Sequence, residues 1–403
     1  MADAPWITII GLGEDGPDGL QGASRRALGD AEIIMGPARH LELVAGALAG
    51  GSGKTIAWPV PFSDGIEILR GFRGRKVAVL ASGDPFWFGA GSVIARHFER
   101  SEWAALPAPS TFSHVASRMG WALEATVCLG LHAAPLSRMR PSLSENAKLI
   151  VLLRDGDAVA EAAAYLTNTG FGASTCTVFE AVAGPSERQT SFAAEAAPDK
   201  GFAHPVCLAV DVAGQGPPLP ACSGIADSFF DTDGVMTKRA VRAVTLSALA
   251  PRAGEMLWDI GGGSGSIAIE WLLAHPACQA ITVEPRADRT GLIAANAQQL
   301  GADRLRIVTG SAPDALAGLP APDAVFIGGG LSAEMISALE ALLPSGTRVV
   351  ANGVTLEAEA LLAALHAQKG GDLIRLDVAH ASALGRKHAW QPAYPVVQWS
   401  GAL

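Results

Sequence analysis

Charge is scarce in this chain. Only 17% of its 403 residues are charged, the net charge is −9, and no long basic run occurs. Phosphate backbones are gripped by clustered Lys and Arg, so no nucleic-acid partner is expected. Long apolar runs are missing too. Polar residues or glycines interrupt each one before it reaches membrane-spanning length. The opening MADAPWITIIGLG has no basic region ahead of an apolar segment and enters a strand at once, so no signal peptide is expected. Cysteine is sparse: Cys128, Cys176, Cys207, Cys222 and Cys278 are scattered, odd in number and without a CxxC pair. They read as reduced, mostly buried thiols of a cytoplasmic protein with no metal site. The nine histidines are scattered as well and form no metal or triad pattern.

What is present is apolar and glycine-rich: 49% hydrophobic, with 46 glycines. A chain of this length outgrows one ordinary core and suits two or three domains. The second half is regular. GEMLWDI (254–260), AITVEP (280–285), LRIVTG, DAVFIGG and TRVVANGV are short β-rich runs. Residues 264–274, a stretch ending at Leu300, 332–343 and 355–368 have helical character. This alternation predicts an α/β domain with a mostly parallel sheet covered on both faces. GDLIRLDVAH and YPVVQWS then follow without a helix between them, which predicts an antiparallel edge pair.

The first strand of that series runs into WDIGGGSGSIAIEW (258–271). In open α/β sheets, ligands bind beyond the carboxyl ends of the strands, at the switch point. Gly261, Gly263 and Gly265 permit positive φ and close backbone approach. The following helix offers free N–H groups to an anion. A dinucleotide fingerprint would need a third Gly where Ser266 stands. Asp259 followed by GxGxG instead resembles the S-adenosylmethionine loop of class I methyltransferases. Glu284 ends the next strand, where a carboxylate can accept ribose hydroxyls; NAD enzymes share that feature. GSAPDAL (310–316) falls where methyltransferases hold adenine. Two alternatives stay open: a loop needed only for tight strand–helix packing, and an Asp259 that merely organises loop hydrogen bonds.

The first half has no copy of this loop. WITIIGLGEDGPDGL (6–20) is a strand ending in a glycine-rich turn, and KVAVLASGDPFWFGAG (76–91) is a strand ending at Gly83-Asp84-Pro85. LPAPSTFSHVASRMG (106–120) reads as a loop carrying Ser110 and Thr111, then a helix. GGSGKT (50–55) imitates a phosphate loop, but Leu48 stands where that motif needs Gly and no good strand precedes it. It reads as a surface loop.

Taken in order and spacing, IIGLGEDGPDGL, MGPARHLELV, WPVPF, ASGDPFWFG, PSTFSHVASRMG and GLHAAP resemble class III tetrapyrrole methyltransferases. The stretch from DGVMTKRAVRAVTLSALAP through the glycine loop to the end resembles the class I decarboxylating partner of the same pathway. The fusion resembles the decarboxylating precorrin-6Y methyltransferase family of cobalamin synthesis. The resemblance implies a two-lobed class III domain at 1–213, a linker at 214–224 and a Rossmann-like class I domain at 225–403. It implies C5 methylation of precorrin-6Y by the first domain. The second would methylate C15 and decarboxylate the C12 acetate, giving precorrin-8X. The alternative is the same chemistry on the cobalt-containing intermediate. Other classes, a nucleotide-binding oxidoreductase or a scaffold that has lost activity, fit the GxGxG spacing and the intact loops less well.

By the same resemblance S-adenosyl-L-methionine binds twice per chain. The first site takes Ser82, Gly83, Asp84 and Trp87 with Ser110 and Thr111 opposite, and Gly11 and Gly13 lie at its mouth towards the tetrapyrrole. The second takes Thr237, Asp259, Gly261, Gly263, Gly265, Glu284 and Ala312. A homo-oligomer through the C-terminal domain, a tetramer by family habit, is implied. Two departures stand out. GLGEDG lacks the family's common Pro, and Ser311 replaces a frequent Asp. No catalytic base stands out, and in-line methyl transfer does not demand one. The substrate carries many carboxylates, which call for Arg, Lys or N–H groups. Arg386, Lys387 and His388, with Trp390 flanking, are the candidates; a solvated hairpin tip is the equal alternative. Arg39-His40 and Arg138-x-Arg140 have weaker claims to the same role and read more readily as ordinary surface charges, and His132 reads as a core or cleft residue.

Overall fold

In the computed structural model, which describes residues 5–48, 53–199 and 201–403, the strands sort into three main sheets. Two belong to one compact unit, residues 1–134 with 142–217. The third belongs to a second unit, residues 135–141 with 218–403. The division at 217/218 falls inside the Pro/Gly-rich stretch. Its start is bound into the first unit: Ala213 N donates to Ser174 Oγ, and Gly216 N to Gly170 O.

The first lobe of unit one is all parallel, in the spatial order Lys54–Ala57, Ile33–Gly36, Val77–Ser82, Ile7–Leu12, Trp103–Leu106. Its central strands are apolar on both faces because helices cover both. The second lobe is mixed. Val127–Gly130 and Lys148–Leu152 are parallel, while Val206–Asp211, Thr175–Glu180 and Arg188–Ala193 add antiparallel pairs. The expected loop at GGSGKT needs correcting. Residues 50–52 lie outside the described residues, but Lys54–Ala57 is an edge strand, too short for its period to be read.

Unit two has the spatial order Arg306–Thr309, Gln279–Glu284, Met256–Ile260, Ala324–Ile327, Arg348–Gly353, Val396–Ala402, Asp372–Leu376. The strands up to Arg348–Gly353 are parallel. Val396–Ala402 runs antiparallel to both neighbours, so the antiparallel edge pair is present. Along Met256–Ile260, Trp258 and Ile260 enter one core while Leu257 enters the other. The chain winds first to one side of this strand and then to the other. That places the loop after Ile260 at the switch point. Between the edge strands, Ala379–Leu384 and Lys387–Pro392 form a separate hairpin, with Gly385 at φ +60 in its two-residue turn. No helix among the described residues is long and apolar enough to cross a membrane.

Candidate active sites

In unit one, the carboxyl ends of three strands meet at two glycines. A Cβ on Gly11 would overlap the carbonyl of Gly83, and one on Gly83 would lie 2.9 Å from Ser110 Cα. Gly83 N donates to Leu12 O at 2.9 Å, and Ala108 N to Gly83 O at 3.2 Å. Beside this junction lies a cavity of about 580 Å³. That is within the roughly 300–1,000 Å³ of small-molecule sites. Gly13, Ser82, Gly83, Asp84, Trp87, Ser110 and Thr111 all line it, as does His132. Gly11 does not; it is buried beneath Gly83.

Several of these groups already have structural work. Asp84 Oδ1 accepts from Phe86 N at 2.8 Å and tightens its own turn. Ser110 caps the helix Thr111–Met119, accepting from Ser113 N at 3.1 Å. Trp87 packs on Phe112, ring centroids 4.8 Å apart, and stays 37% exposed. Sequence reasoning missed Glu14, His114 and His204 and gave Arg39 and His40 only a weaker claim, yet all five are on the cavity wall. Arg39 and His40 are not the surface charges expected. His40 is fully buried, and Ser82 Oγ lies 3.2 Å from its Nε2. Burial, then the nearby Arg39, pushes its pKa down to about 4, so the ring is neutral. Burial chiefly, with Arg118 or Arg39 adding, also lowers His114 and His204. Only the i,i+4 spacing of His40 with Val44, both buried on the helix Ala38–Val44, hinted at an inward-facing side chain.

In unit two, Gly261, Gly263 and Gly265 have φ of +78, +58 and +77. L side chains are strained there. A Cβ on Gly261 would also sit 2.7 Å from Gly329 N, and one on Gly265 2.8 Å from Ile293 Cγ2. Gly263 differs: a Cβ would meet only Val235 O, at 3.5 Å, so this position is open. Glu284 Oε2 accepts from Gly263 N at 3.0 Å, and Oε1 from Arg286 N at 3.2 Å. Asp259 is fully buried below the loop. It accepts from Thr282 Oγ1 at 3.3 Å and from the N–H of Ala268, in the first turn of the helix Ser266–Ala274. Burial pushes its pKa up to about 7, and those bonds only partly offset it.

A strap, residues 224–238, crosses this loop. The buried Glu270 accepts from Gly224 N, Ile225 N and Arg242 Nε, at 2.7, 3.0 and 2.5 Å. Arg242, with no exposed surface, donates to Thr237 O at 2.5 Å, to Asp227 Oδ1 at 3.1 Å and to Ile225 O. Asn296 joins strap and loop: its Nδ2 donates to Asp231 O and Ser264 O, both at 2.9 Å. Thr237 is thereby fixed at the strap's end. Ala312 is half-buried in the loop after Arg306–Thr309. Arg138 pairs with Asp303 at 2.8 Å, and Arg140 is buried with its guanidinium 5.4 Å from the Phe229 ring, not a surface charge. Arg386, Lys387 and His388 stand exposed at the hairpin tip, and Trp390 is 75% exposed. The structure does not gather them with the glycine loop's residues.

Comparison with known proteins assigns the halves separately. Residues 7–197 match the tetrapyrrole (corrin/porphyrin) methylases, and residues 228–402 match a precorrin methyltransferase domain. A decarboxylating precorrin-6Y C(5,15)-methyltransferase from Sinorhizobium sp is 48% identical, over 98% of this chain and 96% of its own. One of the same name from Mycobacterium tuberculosis is 35% identical, over 98% and 99%. The solved C-terminal domain of precorrin-6Y C5,15-methyltransferase from Rhodobacter capsulatus is 53% identical. It covers 46% of this chain and all of its own, with a TM-score of 0.45.

Proposed function

The chain belongs to the decarboxylating precorrin-6Y C(5,15)-methyltransferases, and from that membership we propose that its two units act on one macrocycle at two positions. Residues 1–213 methylate C5 of precorrin-6Y. Residues 225–403 methylate C15 and release the C12 acetate carboxyl as carbon dioxide, giving precorrin-8X in cobalamin synthesis. The stretch 214–224 links them. S-adenosylmethionine supplies, at each site, a methyl group on a sulfonium to an electron-rich ring carbon. The new C–C bond forms as the S–CH₃ bond breaks, and the ring carbon gives up a proton. In decarboxylation the pair left by the departing carbon dioxide enters the conjugated ring, and a proton then fills the side-chain carbon. The demanding electronics reside in the substrate, so the protein's part is placement.

The observation that carries the reading is the open Gly263 position at the switch point, with Glu284 bonded to its N–H. A backbone cradle without side chain suits a nucleoside ligand, and the remaining lone pairs of Glu284 suit ribose hydroxyls. The N-terminus of Ser266–Ala274 suits a carboxylate, not a pyrophosphate. Thr237 and Ala312 bound the same pocket in this reading. In unit one the 580 Å³ cavity, with Ser82, Gly83, Asp84, Trp87, Ser110 and Thr111 on its wall, fits the donor and an edge of the macrocycle. The exposed hairpin, with Leu384, Trp390 and nearby Tyr394 at 67%, 75% and 87% exposure, supports a homo-oligomer through the second unit. Titration with S-adenosylhomocysteine tests the reading: two sites per chain are expected, and no NAD binding. A full-length chain with one site only, still present after removal of residues 1–213, would contradict it.

A further inference from the structure

The substrate of the first-unit cleft carries several carboxylates, yet the cleft is poor in positive charge. Among its described lining residues Arg39 is the only Lys or Arg. The other permanently ionisable groups there are Glu14 and Asp84. Histidine adds little: His40 is neutral, and His114 and His204 are shifted towards the neutral form. Arg39 Nη2 donates to His40 Nε2 at 3.0 Å, an atom that Ser82 Oγ also approaches, and this fixes one edge of the guanidinium. Its other edge pairs with Glu14, from the turn after the first strand. The Arg39 side chain is 31% exposed and Glu14 16%, so the pair is part-buried on the cavity wall, with Nη1 itself covered. Partly exposed pairs are worth little net energy and exchange partners easily.

The two ligands of this cleft differ in charge. The methyl donor is a net cation, with sulfonium and ammonium against one carboxylate. It is repelled by a guanidinium and attracted by Glu14 and Asp84. The macrocycle is a polyanion and needs the opposite. On this ground, and resting on the proposed role of the first unit, we propose that Arg39 is the anchor for a side-chain carboxylate of the macrocycle, with Glu14 holding its place until substrate arrives. A planar guanidinium can keep its bond to His40 while it offers the second edge as a two-pronged donor to an incoming carboxylate. Glu14, released, faces the cationic donor.

The test uses the full-length protein with precorrin-6Y and S-adenosylmethionine, following methyl count by mass. Arg39→Gln should raise the macrocycle KM of C5 methylation about tenfold or more, the loss of one charge-assisted pair. Affinity for S-adenosylhomocysteine should stay within about twofold, and the second methylation, on the same chain, should be unchanged. Arg39→Lys should recover part of the loss, because charge returns without the fork. Glu14→Gln should not raise the macrocycle KM. An unchanged macrocycle KM in Arg39→Gln, or lost S-adenosylhomocysteine affinity in its place, overturns the proposal. Gly83→Val separates this from the reading beneath it. If that folded variant still adds both methyls, the first unit is not a methylation site at all. If it loses one methyl while Arg39→Gln behaves as wild type, only the anchor is wrong.

Discussion

Gly11 and Gly83 in the first unit let three strand ends touch, and the acidic residues near them, Glu14 and Asp84, face a cavity. Gly261, Gly263 and Gly265 in the second unit fold a positive-φ loop, and the acidic residues near it, Asp259 and Glu284, are 1% and 2% exposed. The same strand–glycine–acid grammar therefore does two jobs. In the second unit Asp259 braces the loop from beneath, while Glu284 holds the Gly263 N–H and keeps lone pairs for the proposed ligand. In the first unit both acids line the cavity. Losing Asp259 should therefore act on stability, and losing Asp84 on binding.

The largest expected effect is at the strap. Glu270→Ala leaves the buried Arg242 with only the part-exposed Asp227 as counter-charge, and breaking a buried pair costs about 3–5 kcal/mol. Calorimetric unfolding should show the second unit melting earlier, with its S-adenosylhomocysteine site lost and the first site kept. Gly261→Ala comes next. Left-handed φ alone costs about 1–2 kcal/mol, and the Cβ also crowds Gly329. Titration should fall from two sites per chain to one. Asp259 sets a pH dependence. Its pKa is raised, so between the ordinary carboxylate value and about 7 the folded chain holds a proton that the unfolded chain has released. The second unit should lose stability as pH rises through that window, by up to about 1.4 kcal/mol per pH unit, and level off above it. Asp259→Asn should flatten the slope; equal slopes in variant and wild type would remove Asp259 from its bracing role. The smallest effect is Asp84→Asn. An amide oxygen can still accept from Phe86 N, so melting should shift by less than about 1 kcal/mol while first-site affinity for S-adenosylhomocysteine falls. A large melting shift would erase the contrast between the units.

Much of the second unit was legible, because apolar runs of five or six residues bounded by glycine impose a strand period, and the GxGxG spacing marks the switch-point loop. The antiparallel strands of the first unit's second lobe were not read, since Arg188–Ala193 is mostly polar and half-exposed. The hairpin Ala379–Pro392 was read only as one of two equal alternatives, because its strands are mostly polar and exposed. Partnerships were the least legible. Glu270 sits in SIAIEWLLA, a helix buried nearly all round, so a partner for it was demanded by the sequence. Which arginine answers it, 28 residues earlier, is decided only by packing. Glu14 and Arg39 likewise meet across 25 positions, through a turn and a helix start that carry no pairing signal.

The central claim is that one chain holds two methyl-transfer sites aimed at one macrocycle. The most direct measurement incubates precorrin-6Y and S-adenosylmethionine with the full-length protein and with Gly263→Val, and weighs the product. Wild type should add two methyls and lose one carbon dioxide; the variant should add one methyl and keep the carboxyl. A folded Gly263→Val protein that still adds both methyls and releases carbon dioxide would contradict the claim.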